Sequence, residues 1–271
     1  MTKHITPRPA ATITLVRDAG EDFEVLMLQR NLNSGFVAGA YVFPGGAVDE
    51  ADHAPELHAL CEGLTDAAAS QHLSLERGGL AYWIASIRET FEEAGLLLAC
   101  DSSGELVALD DEALVKRYVE HRHALNAGSE TMIGMCEKEG LRLAAGRLTY
   151  FSHWITPAGA PRRYDTRFFV APAPARQTPL HDDQETIAHL WISPREALER
   201  HQRKELILRS PTIATLKLFA RARSSAELIA TLAAQSEIPA MRPVIRKDGR
   251  RLMPGDPGYE EALNQDPGTW K

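Results

Sequence analysis

The chain has 271 residues, 44% hydrophobic and 25% charged, which is ordinary globular material with room for one large domain and an appendage. Its formal net charge of -7 argues against a general nucleic-acid binder, because affinity for a phosphate backbone comes from excess Lys and Arg. No apolar run reaches the length of a membrane span, the first residues form neither signal nor transit peptide, and Cys61, Cys100 and Cys136 are too far apart for a disulfide framework or a zinc pair, so a cytoplasmic protein with reduced thiols is expected.

Along the chain, two short apolar and β-branched runs at 11–17 and 23–29 flank a turn at 18–22 and predict a hairpin or an adjacent strand pair. Residues 31–39 read as a loop rich in Asn, Ser and Gly, and 40–43 as a short strand ending at Pro44. Phe43-Pro44-Gly45-Gly46 then reads as a glycine turn of the kind that lets backbone approach a ligand closely. From 52 to 79 the sequence is helical, small and polar. Leu80, Ile84, Ile87 and Phe91 next recur at helical spacing and define an apolar face, while Gly95 suits the position just past the helix, where positive φ is cheap.

Further helices are predicted over 112–126 and 130–139, and strands over 148–155, 166–170 and 186–192. Ser193-Pro194-Arg195-Glu196 is a helix start, with a serine cap, proline in the first turn and glutamate three residues after the serine. Ser210-Pro211 opens another helix toward 221, and 225–233 continues helically. From 238 onward the tail is rich in Pro, Gly and charge and reads as irregular. Its basic residues, Arg242, Arg246, Lys247, Arg250 and Arg251, read as a solvated run, with a distal phosphate as the competing partner.

The chemistry concentrates on the helix that ends at Gly95. Glu89, Glu92 and Glu93 stand at i, i+3 and i+4, on one face, where like charges repel unless a cation sits among them. Read alone, Arg88 and Glu92 at i, i+4 make a salt-bridged solvent face worth about 0.3–0.5 kcal/mol. The glycine turn upstream and an acidic loop at 182–185 shift the reading toward a metal site for a phosphate substrate. Magnesium takes oxygen ligands and keeps several waters, and cleavage of a diphosphate link needs charge neutralised on two phosphoryl groups and a water aimed at phosphorus. Glu92 and Glu93 are the expected ligands of Mg2+ or Mn2+, Glu89 a ligand or the base for the metal-bound water, and Arg88 the group that orients a carboxylate.

Gly46 and the run Arg88-Glu89-Thr90-Phe91-Glu92-Glu93-Ala94-Gly95-Leu96 together resemble the box of the Nudix hydrolase superfamily, in which glycine, five residues, glutamate and seven residues precede Arg-Glu-apolar-any-Glu-Glu-any-Gly-apolar. Thr90 stands where the pattern prefers an apolar residue, and its methyl can still pack. Positions 47–87 lie between the halves, about 28 residues more than an unbroken box holds. Counting forward from Gly46 places the box glutamate at Asp52 and counting back from Arg88 places it at Leu80, so that carboxylate is either Asp52 or missing.

With His153-Trp154-Ile155-Thr156-Pro157 and Arg162-Arg163-Tyr164-Asp165-Thr166-Arg167-Phe168-Phe169 downstream, the chain is similar to the peroxisomal acyl-coenzyme A diphosphatase branch related to mammalian Nudix motif protein nineteen, over roughly residues 10 to 220. The resemblance implies an α/β/α sandwich with a mixed sheet, a Nudix domain over 10–222 with a helical insertion at 53–79, and a helical and irregular C-terminal extension over 223–271. It also implies metal-dependent hydrolysis of a nucleoside diphosphate derivative, coenzyme A or its acyl esters, and a family in which homodimers are common. ADP-ribose, NADH-type dinucleotides, and a silent nucleotide-binding module are the alternatives. In some members the base is a glutamate from a later loop, and Glu185 is the candidate here. Arg30, Gly45, Gly46 and Arg163 are the expected substrate contacts.

Overall fold

A mixed sheet of eight strands runs through the computed structural model, which describes residues 5–31, 38–180, 186–246 and 248–265. In chain order its first elements are β1 (Arg8–Ala19), β2 (Asp22–Arg30), β3 (Tyr41–Val42) and β4 (Gly45–Ala47). Then come α1 (Pro55–Ala59), α2 (Asp66–Leu73), α3 (Leu80–Ala94), β5 (Ala99–Cys100), α4 (Glu112–Asn126), α5 (Met132–Glu139) and β6 (Arg142–Leu143). The second half carries β7 (Thr149–Ile155), β8 (Tyr164–Pro172), β9 (Thr186–Ile192), α6 (Pro194–Gln202), α7 (Ser210–Phe219) and α8 (Ser225–Ala233). The tail adds β10 (Ala240–Met241), β11 (Val244–Ile245), β12 (Arg251–Leu252) and α9 (Tyr259–Gln265).

The strand order is β10-β7-β8-β1-β2-β3, with β4 also on β1 and β9 also on β2. β1 pairs parallel with β8 and β7 parallel with β10, while β1 with β2 and β7 with β8 are antiparallel. The sheet is covered on both faces, so β1 and β2 are apolar on both sides. Ala11, Ile13, Leu15, Leu26 and Leu28 enter one core, and Val16, Phe23, Val25 and Met27 enter the other.

The first core is closed by α3, α4 and α5 through Trp83, Ile84, Ile87, Phe91, Tyr118, Met135 and Cys136. Trp83 packs its ring 4.6 Å from that of Phe169 and donates its indole N–H to the Leu148 carbonyl. Each such fully buried apolar side chain contributes about 1.5–3 kcal/mol, which fixes α3 to the sheet and leaves its acidic face aimed sideways. The second core is closed by α6, α7 and α8 through Ala197, Leu216, Phe219, Leu228 and Leu232. This is the three-layer α/β/α arrangement expected of the sequence, and α8 packs on β7, β1 and β8 as part of it.

The structure departs from the sequence reading in four places. Gly45 and Gly46 are not a free turn: with Ala47 they form a strand antiparallel to β1, in the register Thr12↔Gly45, Ala11↔Gly46, Ala10↔Ala47. The pairing is dictated by β1, since glycine has no strand preference of its own. The stretch 52–79 breaks into a 3-10 turn and two short helices, with Gly63 at positive φ between the helices and Gly78 at positive φ after the second. The tail beyond 238 is partly regular, because β10 extends the main sheet and Val244, Leu252 and Tyr259 make a small core of their own. Finally, β5 and β6 form a separate two-stranded ladder. The three cysteines are buried and unpaired, and burial pushes the thiols of Cys61 and Cys136 up to about 12. Among the described residues no helix is long and apolar enough to cross a membrane.

Candidate active site

α3 carries the acidic run, and both of its ends are set by neighbours. At the start, the Asp66 carboxylate of α2 accepts from the backbone N–H of Leu80 and of Gly78, each at 3.0 Å, so the segment inserted in the box caps the helix that follows it. Burial opposes the charge on Asp66, but these two N–H groups, helped by His58 and His53, hold its carboxyl below the usual range. At the far end Gly95 adopts φ +67°, and its N–H returns to the Phe91 carbonyl, the left-handed stop expected there. Thr90, the departure from the box pattern, is fully buried and donates its hydroxyl to the Ser86 carbonyl at 2.6 Å.

Arg88 gathers the acids. Its Nε and Nη2 donate to the two oxygens of Asp52, each at 3.0 Å, and its Nη1 donates to Glu89 and to Glu92, each at 2.9 Å. Nη2 also donates to the Ala47 carbonyl, and Asp49 lies 3.6 Å away. Asp52 is 1% exposed and is itself fixed by the Asp49 N–H at 2.8 Å. The carboxylate counted forward from Gly46 is therefore the one that meets the box arginine, across the whole insertion. Burial works against the charge on Arg88, yet Asp52, Glu89 and Glu92 overrule it and hold its proton more tightly than usual. Burial raises Glu92 above the usual carboxylate range, Arg88 pulling the other way.

Gly45 and Gly46 serve this cluster by having no side chains. The Gly45 N–H donates to a Glu93 oxygen at 3.0 Å. A Cβ on Gly46 would stand 2.3 Å from the Glu89 carboxylate, and a Cβ on Gly45 2.3 Å from the Ala11 carbonyl. The double glycine thus brings bare backbone against Glu89 and Glu93, the two acids that face the β4 edge of the sheet.

Four carboxylates, Asp49, Asp52, Glu89 and Glu92, lie within 3.6 Å of one guanidinium, which offsets a single charge. All the donors are hard oxygens, the ligand type of Mg2+ and Mn2+. Among the described residues no three acids or histidines already stand in a metal-holding arrangement. The donor chemistry fits a hard divalent ion, whereas the spacing is that of an arginine-paired cluster.

The other sequence candidates fall elsewhere. Arg30 ends β2, opposite the first residue of β9, Thr186. Arg163 is 3% exposed and donates to the carbonyls of Thr156 and Ile5, so it ties the β7–β8 turn to the chain before β1 and does not join the glutamates. Glu185 lies outside the described residues, as does Lys247. Phe168 is a core residue of the second layer, and in the tail Arg251 donates to Ser210 while Arg246 faces Asp248. Asp49 and Asp66 carry no signal in the sequence, because acids in a polar stretch look like solvated surface.

A family model described as the NUDT19 Nudix domain matches residues 65–218. A protein of Gallus gallus named acyl-coenzyme A diphosphatase NUDT19 is 33% identical over 225 residues, covering 70% of this chain and 59% of that protein. The Homo sapiens protein of the same name is 29% identical over 279 residues, covering 89% of this chain and 73% of that one. The chain thus spans about three fifths of the length of the Gallus gallus relative and of a Xenopus laevis one. Among solved structures, a NUDIX hydrolase from Alicyclobacillus acidocaldarius superposes with a TM-score of 0.66 at 28% identity, covering 87% of this chain and 99% of that one.

Proposed function

From the premise that the chain belongs to the Nudix superfamily, in the family of the NUDT19 Nudix domain, we propose that it is a divalent-metal-dependent hydrolase that cleaves the diphosphate link of coenzyme A or an acyl-coenzyme A. The observation that carries the reading is the meeting of Asp52 and Arg88 beside Gly45-Gly46, which reassembles an interrupted box in space and sets Glu89, Glu92 and Glu93 on one edge of the sheet. Glu92 and Glu93 are the proposed ligands of Mg2+ or Mn2+. Glu89 is a third ligand or the base, with Glu185 as the loop alternative. When bound, the ion neutralises the two phosphoryl groups and makes a coordinated water acidic enough to attack at neutral pH.

The chain's own groups then have separate tasks. Arg88, locked by Asp52, draws the Glu89 and Glu92 carboxylates toward one point, which limits how far they have to turn to take an ion. The Gly45 N–H keeps Glu93 from turning away. Glu89 or Glu185 takes the proton from the attacking water. Arg30, at the rim of β2, and the bare backbone of Gly45 and Gly46 are the proposed contacts for the substrate phosphates. Arg163 has no place in this assignment, because its guanidinium serves backbone carbonyls.

Titrating Mg2+ and Mn2+ against purified protein with coenzyme A, an acyl-coenzyme A, ADP-ribose and NADH tests the reading. The expected outcome is turnover of the coenzyme A compounds into two phosphomonoesters, abolished by chelation and restored by either metal. Preference for ADP-ribose or NADH would overturn the substrate while keeping the chemistry. Binding without turnover of any of the four would make the chain a nucleotide-binding module instead.

A further inference from the structure

The carbonyls of a helix's last turn have no partner further along the helix, so something outside must meet them. At the end of α3 every one is met. Gly95 N–H donates to Phe91 at 3.0 Å and Leu180 N–H to Ala94 at 2.8 Å. The two between, Glu92 and Glu93, both receive bonds from one side chain of α4: Arg122 donates from Nε to the Glu92 carbonyl and from Nη2 to the Glu93 carbonyl, each at 2.9 Å. These are the backbone oxygens of the two glutamates proposed above as metal ligands.

Arg122 is 4% exposed. It forms part of the wall of a cavity of about 710 Å3 that is also lined by Phe91, Gly95, Tyr118, Gln177 and Leu180. A Cβ on Gly95 would stand 3.3 Å from Arg122 Nη1 and 3.4 Å from the Leu180 Cβ, so the box glycine leaves room for this guanidinium as well as turning the chain. Burying a charged guanidinium is costly unless its donors are met, and a positive group at a helix C-terminus is favoured by the helix dipole. A planar fork with two rigidly spaced donors fixes two consecutive carbonyl oxygens at once, which the single nitrogen of a lysine ammonium does less well.

We infer that Arg122 is a positioning residue for Glu92 and Glu93: by pinning both carbonyls it sets the rotation of the last turn of α3, and with it the direction in which the two carboxylates leave the helix. The inference rests on the metal-ligand reading of those glutamates. Arg122 touches neither substrate nor metal and acts through the helix, as outer-shell groups do when they orient metal ligands.

The test compares wild type, Arg122→Lys, Arg122→Met and, as a control on the same cavity, Arg176→Met, whose guanidinium pairs with Asp110 and not with α3. Mn2+ affinity is measured from the EPR signal of free Mn2+ without substrate, kcat and KM are measured with coenzyme A, and thermal unfolding confirms that each variant is folded at the assay temperature. Folded Arg122→Met is expected to bind Mn2+ about 10- to 100-fold more weakly and to lose kcat over a similar range at saturating metal, with KM little changed. Arg122→Lys should fall between, and Arg176→Met should match wild type. If Arg122→Met fails to fold, Arg122→Lys decides. Wild-type Mn2+ affinity and kcat, within twofold, in the folded Arg122 variants would overturn the inference alone, whereas a wild-type protein that binds no Mn2+ would overturn the metal reading and the inference with it.

Discussion

Asp52 and Arg88 stand 36 residues apart in the chain and meet edge to edge, two bonds of 3.0 Å joining the carboxylate to Nε and Nη2 of the guanidinium. Asp52 is 1% exposed and Arg88 12%, so the pair is largely out of water. Breaking one partner of such a pair leaves the other desolvated and uncompensated. Asp52→Asn keeps the shape and removes the charge. Because Arg88 retains Glu89 and Glu92, the expected loss lies at the lower end for a buried pair, about 3 kcal/mol in urea unfolding. A change below about 1 kcal/mol would show the pair to be a surface bridge in effect.

The two glycines of β4 make different predictions. At Gly46 the atom that a Cβ meets is the end of the Glu89 side chain, which can swing away, so Gly46→Ala should fold and lose turnover through a displaced carboxylate. A misplacement of about 1 Å near the chemistry is worth roughly 100-fold in rate. At Gly45 the obstacle is backbone, the Ala11 carbonyl and Thr12 Cα, and φ is +153°. Gly45→Ala should therefore lower stability in thermal unfolding, because β4 cannot keep its pairing with β1 once the methyl group is there. Equal Tm values for the two variants would contradict this division.

Glu93→Gln separates charge from shape. The Glu93 carboxylate is nearly buried and accepts the Gly45 N–H, and an amide oxygen can accept the same bond. We expect the fold to hold, with Tm close to wild type, while turnover falls by about 100-fold or more as a metal ligand is lost. An active Glu93→Gln enzyme would move the metal site elsewhere.

What the sequence discloses of this architecture follows physical lines. α3 is visible because Leu80, Ile84, Ile87 and Phe91 repeat at the helical period, and α4 covers the predicted 112–126. The serine cap and proline of α6 are where local chemistry places them, the Ser193 hydroxyl accepting from the Glu196 N–H. Asp52 is visible by counting from Gly46. β4 is not, since a strand of two glycines and an alanine has no propensity of its own and exists because β1 offers it partners. β8 runs past the predicted 166–170 to Tyr164 and Pro172 because β1 beside it is longer still and pairs with it along its whole length. Arg122 carries no motif either: a single cation in a polar helix looks like solvated surface until the end of α3 is seen against it.

A second charged pair, away from the glutamates, gives a pH dependence. Asp165 accepts a bond of 2.6 Å from His153 Nε2 and one of 2.5 Å from Arg167 Nη1, and the buried Arg167 guanidinium also lies 5.7 Å from the centre of the Tyr82 ring. Burial opposes ionisation of Asp165, but the His153 hydrogen bond and the Arg167 charge overrule it and hold the carboxyl below its usual range. A carboxyl whose folded pKa is depressed contributes stability above the unfolded value, about 3.9, and loses it as pH falls through the folded value. Asp165→Asn removes this contribution at every pH and leaves Arg167 buried without its charge partner, a cost of about 3 kcal/mol. Urea unfolding of wild type and Asp165→Asn at pH 5 and 3 should give a smaller gap at pH 3, where the unfolded wild-type carboxyl takes up a proton that the folded one resists. The difference between the two proteins cancels the titration of groups out of contact with Asp165, so a gap that stays constant from pH 5 to pH 3 would mean that the Asp165 charge adds nothing to the fold.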